Sequence, residues 1–483
     1  MPPARVVRFD TVTFWLFFPL AWAVWRLLPL RAAKAGTLAL SLVFYAWWRP
    51  EYVVLIWLSS YVDYRIAGFI HAAHDERVRQ RWLTVSLAGN LGLLAFFKYT
   101  PLIATTLGFG GDATTGKPEW LAAWVVPVGI SFYTFQTLSY TIDVHARRLK
   151  PAASYFDFFL FVSFFPQLVA GPIVRARELL PQLQFRRPLS WPRIQLGLYR
   201  CIEGLFLKIV VADGLAPQVE NAFRASTVAD ISPTQAWIGA VCFGAQIFAD
   251  FAGYSWIAIG LALLMGFNFP ENFRYPYISR SLTEFWTRWH ITLSRWLRDY
   301  LYVPLGGNRA GAGRTYVNLM VTMLLGGLWH GASWSFLAWG GLHGLALAVE
   351  RAFGWTRVRA GMSDPLRGPV DFVMRALRVV IVYVVVHVAW VFFRASDFTL
   401  AVAVLERMFV APFTTPLGLE IIAQTPQLLL LVPIVALHAG QAAHEWLGLK
   451  KSAPLRLAVC VVWLVLLVLV DRGAASPFLY FQF

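Results

Sequence analysis

Two of the nine histidines lie in surroundings that would normally exclude a polar side chain. His330 interrupts the apolar stretch "LLGGLWHGASWSFLAWGGLHG", residues 324–344, and His290 follows a tryptophan in "LTEFWTRWHITLSRWL". An imidazole costs free energy in hydrocarbon unless it is paired or faces water. Histidine is also suited to general-base catalysis, because its ordinary pKa lies close to neutral pH. The residues alone leave both roles open for His330, a buried structural partner or a reacting group.

The sequence neighbours of the two histidines differ. Small residues that permit close helix packing or open a narrow passage surround His330, namely Gly326, Gly327, Gly331 and Ala332. His290 lies at the edge of an apolar stripe, with Thr287 and Ser294 on its flank at helical spacing. We therefore give His330 more functional weight than His290.

Asp250 is a third candidate, because its carboxylate stands in the apolar stretch "GAQIFADFAGYSWIAIG". A carboxylate is expensive there unless it is paired. One interpretation is a buried ion pair with an arginine such as Arg274 or Arg280. The other is a proton acceptor or orienting group near the histidines. We favour the ion pair.

Three further histidines have structural interpretations. We expect His343, which follows Gly340 and Gly341, to form a hydrogen bond between closely packed helices. His387 and His438 lie in apolar helices and should bond neighbouring backbone carbonyls.

Metal and activated-serine chemistry find little support in the sequence. A zinc site needs three or four His, Cys, Asp or Glu ligands, and no HxxxH or HExxH pattern occurs. The three cysteines, Cys201, Cys242 and Cys460, are far apart in apolar surroundings. No GxSxG motif is present. We expect no bound metal or cofactor.

The elements that must position these residues are membrane helices. The 483 residues are 58% hydrophobic and 14% charged, whereas an ordinary soluble protein has roughly 25% charged residues. Apolar blocks near the length of a helical span predict an all-α polytopic membrane protein with about ten to twelve spans. The net charge of +16 comes largely from short loops between apolar blocks, as in cytoplasmic loops of membrane proteins. We therefore exclude nucleic acid as a partner.

Two segments are predicted not to cross the bilayer. Residues 154–175 lie between two basic loops, and Pro166, Gly171 and Pro172 interrupt helical structure there, so a re-entrant segment is expected. Such backbone needs protein or water around it, which indicates a central funnel or tunnel. Residues 275–311 have apolar side chains at helical spacing from Leu282 to Tyr300, with charges on the other faces. We expect one interfacial or re-entrant helix there.

Several long motifs resemble the membrane-bound O-acyltransferase family, specifically its bacterial alginate O-acetylation branch. They are "FPQLVAGPIVRARELLPQL", the stretch from "FADFAGYSWIAIG" to "YVPLGGNR", "GGLWHGASWSFLAWGGLHG" and the terminal "SPFLYFQF". The resemblance runs from about the first span to the last residue and implies a single membrane-embedded acyltransferase domain over 1–483. It places the family's histidine pair on His290 and His330, with His330 catalytic. Trp256 stands where the family commonly has aspartate.

The resemblance implies acyl transfer from a thioester, such as acetyl-CoA, to a hydroxyl. His330 would be the general base or a transient acetyl carrier, and His290 would orient the substrate or polarise the carbonyl. Contacts to the donor's phosphates are expected from a short basic group and the turn beside it, namely Arg288, Arg298, Asn308 and Arg309. A purely structural role for these residues is the alternative.

The expected activity is O-acetylation of an exported, alginate-like polysaccharide across a bacterial inner membrane, with a periplasmic acetyl-handling protein as partner. Peptidoglycan acetylation and D-alanyl transfer are alternatives within the same class. A proton-coupled transporter with His290, His330 and Asp250 as a relay is an alternative from another class. No internal repeat is visible in the sequence, which disfavours transport. A scaffold for a secretion complex would need neither histidine.

Overall fold

The computed structural model describes residues 8–107, 126–224, 226, 228–309, 311–355, 365–410, 425–449, 453–469 and 478–479. Within these ranges the regular elements are helices and no strand occurs. The prediction of an all-α protein is therefore confirmed.

The α-helices are numbered here in chain order. The amino-terminal ones are α1 Val12–Leu27, α2 Leu30–Ala46, α3 Glu51–Ala72, α4 Glu76–Thr106, α5 Ile130–His145, α6 Tyr155–Ser163, α7 Phe165–Leu168, α8 Ala176–Leu179, α9 Trp191–Leu205 and α10 Asp213–Ala222. The others are α11 Pro233–Met265, α12 Leu282–Arg288, α13 Ile291–Leu297, α14 Ala312–His330, α15 Trp334–Ala352, α16 Pro369–Arg394, α17 Phe398–Phe409, α18 Leu431–Leu447 and α19 Ala453–Leu469. Residues Phe206–Ala212 and Arg298–Tyr302 form π-helical turns, and 3₁₀ turns occupy Leu180–Gln184, Pro276–Ile278 and Pro426–Leu430.

Five helical segments are long and apolar enough to cross a membrane. They are Glu51–Ala72, Glu76–Ala104, Pro233–Met265, Pro369–Arg394 and Pro426–Leu447. Two shorter apolar helices, Val12–Leu27 and Pro454–Leu469, accompany them. These helices make the chain a multi-pass membrane protein, while the count of ten to twelve spans stays a prediction.

The chain divides into two compact units. One comprises Met1–Cys201 with Tyr254–Pro270, and the other comprises Ile202–Gly253 with Glu271–Phe483. We call them the first and second units. The single domain over 1–483 stays a prediction.

In the first unit, α3, α4 and α5 pack around a buried carboxylate. Asp63 accepts hydrogen bonds from Ser86 Oγ at 2.7 Å and from Asn90 Nδ2 at 2.8 Å. These bonds offset part of the cost of burying a polar group within a span.

The segment 154–175, also in the first unit, has the predicted break in its helix. Helix α6 ends at Ser163, α7 ends at Leu168, and irregular backbone follows with Gly171 at a φ of +117°. Most of these side chains are buried in protein, as non-helical backbone at membrane depth requires. A re-entrant path and a central funnel stay predictions.

In the second unit, α14 and α15 form a hairpin with close backbone contact. A Cβ on Gly327 would collide with the Phe336 carbonyl oxygen, and a Cβ on Gly340 would collide with that of Met323. Tight packing through the glycines beside His330 and His343 is therefore confirmed.

The prediction of one continuous helix between Leu282 and Tyr300 is wrong. Helix α12 ends at Arg288 and α13 begins at Ile291. Between them His290 has left-handed backbone with a φ of +40°. The preceding loop stabilises the break, because Ile291 N–H donates to the Asn272 carbonyl at 2.9 Å and Arg274 N–H donates to the Arg288 carbonyl at 2.9 Å. Apolar spacing could not reveal this break, since it continues through both helices.

Candidate active site

His290 is held in one orientation at the start of α13. Its ring is fully buried, and Nδ1 lies 3.1 Å from Asn272 Oδ1. Because an amide oxygen only accepts, Nδ1 carries the proton and Nε2 carries the lone pair. Thr292 Oγ1 also donates to Asn272 Oδ1, at 2.8 Å. Burial lowers the pKa of His290 to about 3, so the imidazole is neutral at neutral pH.

His330 is the last residue of α14 and borders a cavity. Its ring centroid lies 6.5 Å from that of His290, 5.1 Å from that of Trp339 and 5.2 Å from that of Phe393. The structure therefore brings the two predicted histidines together. Gly331 directly after His330 leaves room for the Phe336 ring, which any Cβ at that position would overlap.

The cavity beside His330 has a volume of about 650 Å³, within the range of small-molecule sites. Its wall combines apolar, hydroxyl and cationic side chains, including Trp286, Thr287, Ser294, Tyr302, Thr322 and Trp339. Three arginines also line it, namely Arg274, Arg295 and Arg298. Such a cavity can hold a ligand that is apolar in part and also carries an anionic group.

Of the four residues predicted to contact the donor, Arg298 alone lines this cavity. Its guanidinium is largely exposed and forms an ion pair with Asp299 at 2.7 Å. Asn308 accepts a hydrogen bond from the Tyr302 hydroxyl, and Arg309 is exposed outside the lining residues. Sequence reasoning missed Arg274 and Arg295 as cavity residues, although both stand in the segment that carries His290.

The predicted donor contact by Arg288 is wrong. Its side chain is buried and forms ion pairs with Glu284 at 2.7 Å and with Glu445 at 2.6 Å. Arg288 bonds both oxygens of Glu445, the planar geometry that arginine favours with carboxylates. A guanidinium held between two carboxylates serves the structure. Glu445 follows Arg288 by 157 positions, so no local pattern could have revealed this pair.

Asp250 is ion-paired, but the expected arginine partners are wrong. Its carboxylate lies 2.9 Å from Lys208 Nζ and accepts a hydrogen bond from the Leu479 N–H at 2.8 Å. Arg280 pairs with Glu284 instead, at 3.2 Å. Asp250 therefore anchors the buried pair Phe478 and Leu479 near the carboxyl terminus.

Trp256, where the motif resemblance implies an aspartate, is fully buried in the first unit. The guanidinium of Arg200 lies over its ring at 5.3 Å from the centroid. A cation–π contact thus involves the side chain at this position.

The structural histidines divide into two groups. His387 Nδ1 and His438 Nδ1 donate to the carbonyls of Tyr383 and Ile434, each at 2.7 Å, as predicted. The hydrogen bond expected of His343 is wrong, because within the described part of the chain neither of its ring nitrogens has a partner. Its ring instead packs against Trp286 and Trp339, with centroids 5.0 Å and 4.9 Å away.

No group of three or more His, Cys, Asp or Glu residues that could hold a metal ion occurs among the residues that the structure describes. The absence of a bound metal or cofactor stays a prediction. The chemistry that the site can supply is that of a histidine pair, hydroxyls, indoles and arginines.

The sequence of this chain matches one protein family and several known proteins. A family model described as MBOAT, membrane-bound O-acyltransferase family, matches residues 37–385, which contain both histidine motifs. A probable alginate O-acetylase of Azotobacter vinelandii is 41% identical over 406 residues, covering 84% of this chain and 77% of the relative. A peptidoglycan O-acetyltransferase of Helicobacter pylori is 36% identical over 433 residues, covering 84% and 79%. A teichoic acid D-alanyltransferase of Streptococcus thermophilus is 28% identical over 363 residues, covering 71% and 79%.

Proposed function

The chain belongs to the membrane-bound O-acyltransferase family and is an O-acyltransferase, and from this premise we propose that it O-acetylates an exported, alginate-like polysaccharide. The acetyl group comes from a cytoplasmic thioester, acetyl-CoA or another acyl thioester, and crosses the bacterial inner membrane. The observation that carries this proposal is the position of His330 in the wall of a cavity, with its ring centroid 6.5 Å from that of His290.

His330 is the general base in this reaction. Its imidazole takes the proton of the attacking hydroxyl while that oxygen bonds to the thioester carbonyl carbon. The tetrahedral intermediate then collapses, the carbon–sulfur bond breaks, and the imidazolium returns the proton to the leaving thiolate. A positioned base contributes ~10²–10⁴-fold to such a step. In the variant route, His330 carries the acetyl group itself before the hydroxyl accepts it.

His290 orients the hydroxyl. With the Nδ1 proton directed to Asn272, Nε2 is an acceptor and can hold an approaching O–H group. Polarising a carbonyl would need a donor at that nitrogen, which the Asn272 hydrogen bond disfavours. The tautomer set by Asn272 therefore supports the orienting role of His290 over the polarising role.

The arginines at the cavity support an anionic donor. Arg274, Arg295 and Arg298 place guanidinium groups on the same cavity as His330. Guanidinium groups bind phosphate oxygens in paired hydrogen bonds, and the donor needs such contacts if it is coenzyme A or a phosphopantetheine carrier.

The names of the relatives support a polysaccharide acceptor. The Azotobacter relative is named for alginate and the Helicobacter relative for peptidoglycan. Peptidoglycan acetylation is therefore the second candidate within the same chemistry. A periplasmic acetyl-handling protein would complete the transfer to either polymer.

The proton-coupled transporter hypothesis needs Asp250 as one member of a proton relay with the two histidines. Asp250 pairs with Lys208 and with the backbone of Leu479. A carboxylate held by a cation and by an anchoring backbone hydrogen bond has the surroundings of a structural ion pair. This supports an enzyme over a proton-coupled transporter.

The test is acetylation of the cell's exported polymers at matched membrane levels of wild type, His330→Ala and a control, His74→Ala. His74 is an exposed histidine in the turn before α4. We expect His330→Ala to abolish most acetylation of an alginate-like polymer and His74→Ala to retain it. Acetyl groups found on peptidoglycan instead would favour the second candidate, and an unaffected His330→Ala would contradict the mechanism.

A further inference from the structure

Three aromatic side chains near His330 carry buried polar atoms that the proposed mechanism does not use. Trp286 Nε1, Trp339 Nε1 and both ring nitrogens of His343 have no hydrogen-bond partner within the described part of the chain. His343 and Trp339 are each 1% exposed. Buried polar groups in proteins are nearly always paired, so a cluster of exceptions indicates a ligand or ordered water.

These atoms belong to rings in mutual contact. The centroid of Trp286 lies 5.8 Å from that of Trp339, and His343 lies 5.0 Å and 4.9 Å from the two indoles. Both indoles line the cavity of about 650 Å³. Trp339 also contacts His330, at 5.1 Å between centroids. The two indoles are therefore part of the cavity wall that leads to the proposed base, and His343 contacts both of them from behind the lining residues.

This cluster has more hydrogen-bond donors than acceptors. An indole offers one N–H and no acceptor, whereas a neutral imidazole offers one N–H and one lone pair. The three rings together present three donors and one acceptor. A secondary amide can pair with both indole N–H groups and with the imidazole lone pair, because its carbonyl oxygen accepts two hydrogen bonds and its N–H donates one. The imidazole N–H is the one donor that such an amide leaves over.

We propose that Trp286, Trp339 and His343 bind a secondary amide in the pantetheine-type arm of the acyl donor. The two indole N–H groups donate to the amide carbonyl, and the amide N–H donates to the imidazole of His343. The inference rests on the proposed function, since it assigns these residues to the thioester substrate. All three are binding residues, and none takes part in bond making or breaking.

The other walls of the cavity favour the donor arm as the source of the amide. A phosphopantetheine arm has a phosphate at one end, two amides along its length and the thioester at the other end. The cavity presents arginines for the phosphate, the indole pair for an amide and His330 for the thioester. An N-acetylated acceptor sugar also carries a secondary amide, but it has neither the phosphate nor the thioester.

The experiment compares two acetyl donors in purified protein reconstituted in liposomes, with an oligosaccharide acceptor. S-acetyl-N-acetylcysteamine carries one amide, and S-pentyl thioacetate replaces that amide with methylene groups. The measured quantity is the ratio of kcat/KM for the two donors. Three hydrogen bonds that each contribute about 0.5 kcal/mol or more predict a ratio of about 10 or more for the wild type.

The variants Trp286→Phe and His343→Phe should reduce this ratio towards one, mainly through a higher KM for the amide donor. His343→Asn retains a donor and an acceptor and should recover part of the ratio. Trp334→Phe is the control, because Trp334 is exposed at the start of α15 and lies outside the cavity. It should leave the ratio unchanged. The rate with S-pentyl thioacetate reports whether each variant is folded.

Three results would overturn the proposal. A wild-type ratio near one excludes an amide site, although acetyl transfer from both donors would leave the proposed function intact. An equal loss with both donors in Trp286→Phe and His343→Phe assigns the cluster to packing. A changed preference for N-acetylated over unmodified acceptor, with the donor ratio intact, assigns the amide to the acceptor. Absence of transfer from either donor by wild type contradicts the proposed function itself.

Discussion

The segments that carry His290 and His330 lie side by side in the second unit, yet each holds its histidine in a different way. His290 occupies a left-handed break between two short helices, and Asn272 fixes its Nδ1 proton. His330 ends a long helix at the wall of a cavity, between aromatic rings. The comparison teaches that a fixed tautomer and a position on the cavity are supplied by different residues. In the proposed reaction His290 orients the hydroxyl and His330 takes its proton.

The arginines show the same division along a single stretch of sequence. Arg288 is buried between Glu284 and Glu445, whereas Arg298, ten positions later, borders the cavity with most of its guanidinium exposed. The first stabilises the fold around the histidines, and the second lies where the proposed donor would bind.

The largest effect is expected at His330. His330→Ala should lower acetyl transfer by ~10²–10⁴-fold, the contribution of a general base. His290→Ala should lower it less, because an orienting group leaves the proton acceptor in place. Rates measured at equal amounts of folded protein would sharpen the comparison between the histidines, and a larger loss in His290→Ala would reverse their roles.

Loss of Arg288 should act on stability. Arg288→Met leaves Glu445 buried without its cation and leaves Glu284 with Arg280 alone, and breaking such a buried pair costs about 3–5 kcal/mol. Thermal unfolding in detergent should show a clearly lower transition temperature for Arg288→Met than for the wild type. Arg298→Met is the matched control, because an exposed ion pair contributes ~0–1 kcal/mol. Equal transitions in the two variants would remove the distinction between structural and substrate-facing arginines.

A smaller effect is expected at Asn272. Asn272→Leu removes the acceptor shared by His290 and Thr292, and leaving such buried donors unpaired costs about 1–3 kcal/mol. We expect a fall of roughly 10-fold in kcat, because the His290 tautomer is no longer fixed. Asn308→Leu, at an exposed position, serves as the control. A wild-type kcat in Asn272→Leu would show that the tautomer does not matter.

The smallest effect is expected at Arg298. Arg298→Ala should raise the KM for acetyl-CoA about 2–5-fold, since one exposed ionic contact is worth ~0.5–1 kcal/mol. S-acetyl-N-acetylcysteamine lacks phosphate, so its KM should stay at the wild-type value. Arg309→Ala, outside the cavity, is the control. The same increase for both donors would exclude a phosphate contact.

Composition predicted the helical class, and small residues at close spacing predicted the glycine-mediated packing of α14 against α15. The pairing of His290 with His330 was implied by the motif resemblance. The helix break at His290 was not predicted, because the apolar spacing continues across it. The ion-pair partners of Arg288 and Asp250 were not predicted either. Glu445, Lys208 and Leu479 are distant from them in sequence, and only the fold brings them into contact.

His343 shows why a favourable local pattern can still mislead. The preceding glycines do bring α14 and α15 into backbone contact, as the sequence indicated. The imidazole nevertheless packs against two indoles and makes no hydrogen bond within the described residues. Close helix approach is encoded locally, whereas the chemical nature of the neighbours is set by the tertiary fold.

The most direct test of the central claim is transfer of a labelled acetyl group from a thioester by the purified protein in liposomes. Wild type and His74→Ala should label an oligosaccharide acceptor, and His330→Ala should retain less than about a hundredth of that rate. Labelling by His330→Ala at the wild-type rate would contradict the assignment of His330 as the proton acceptor.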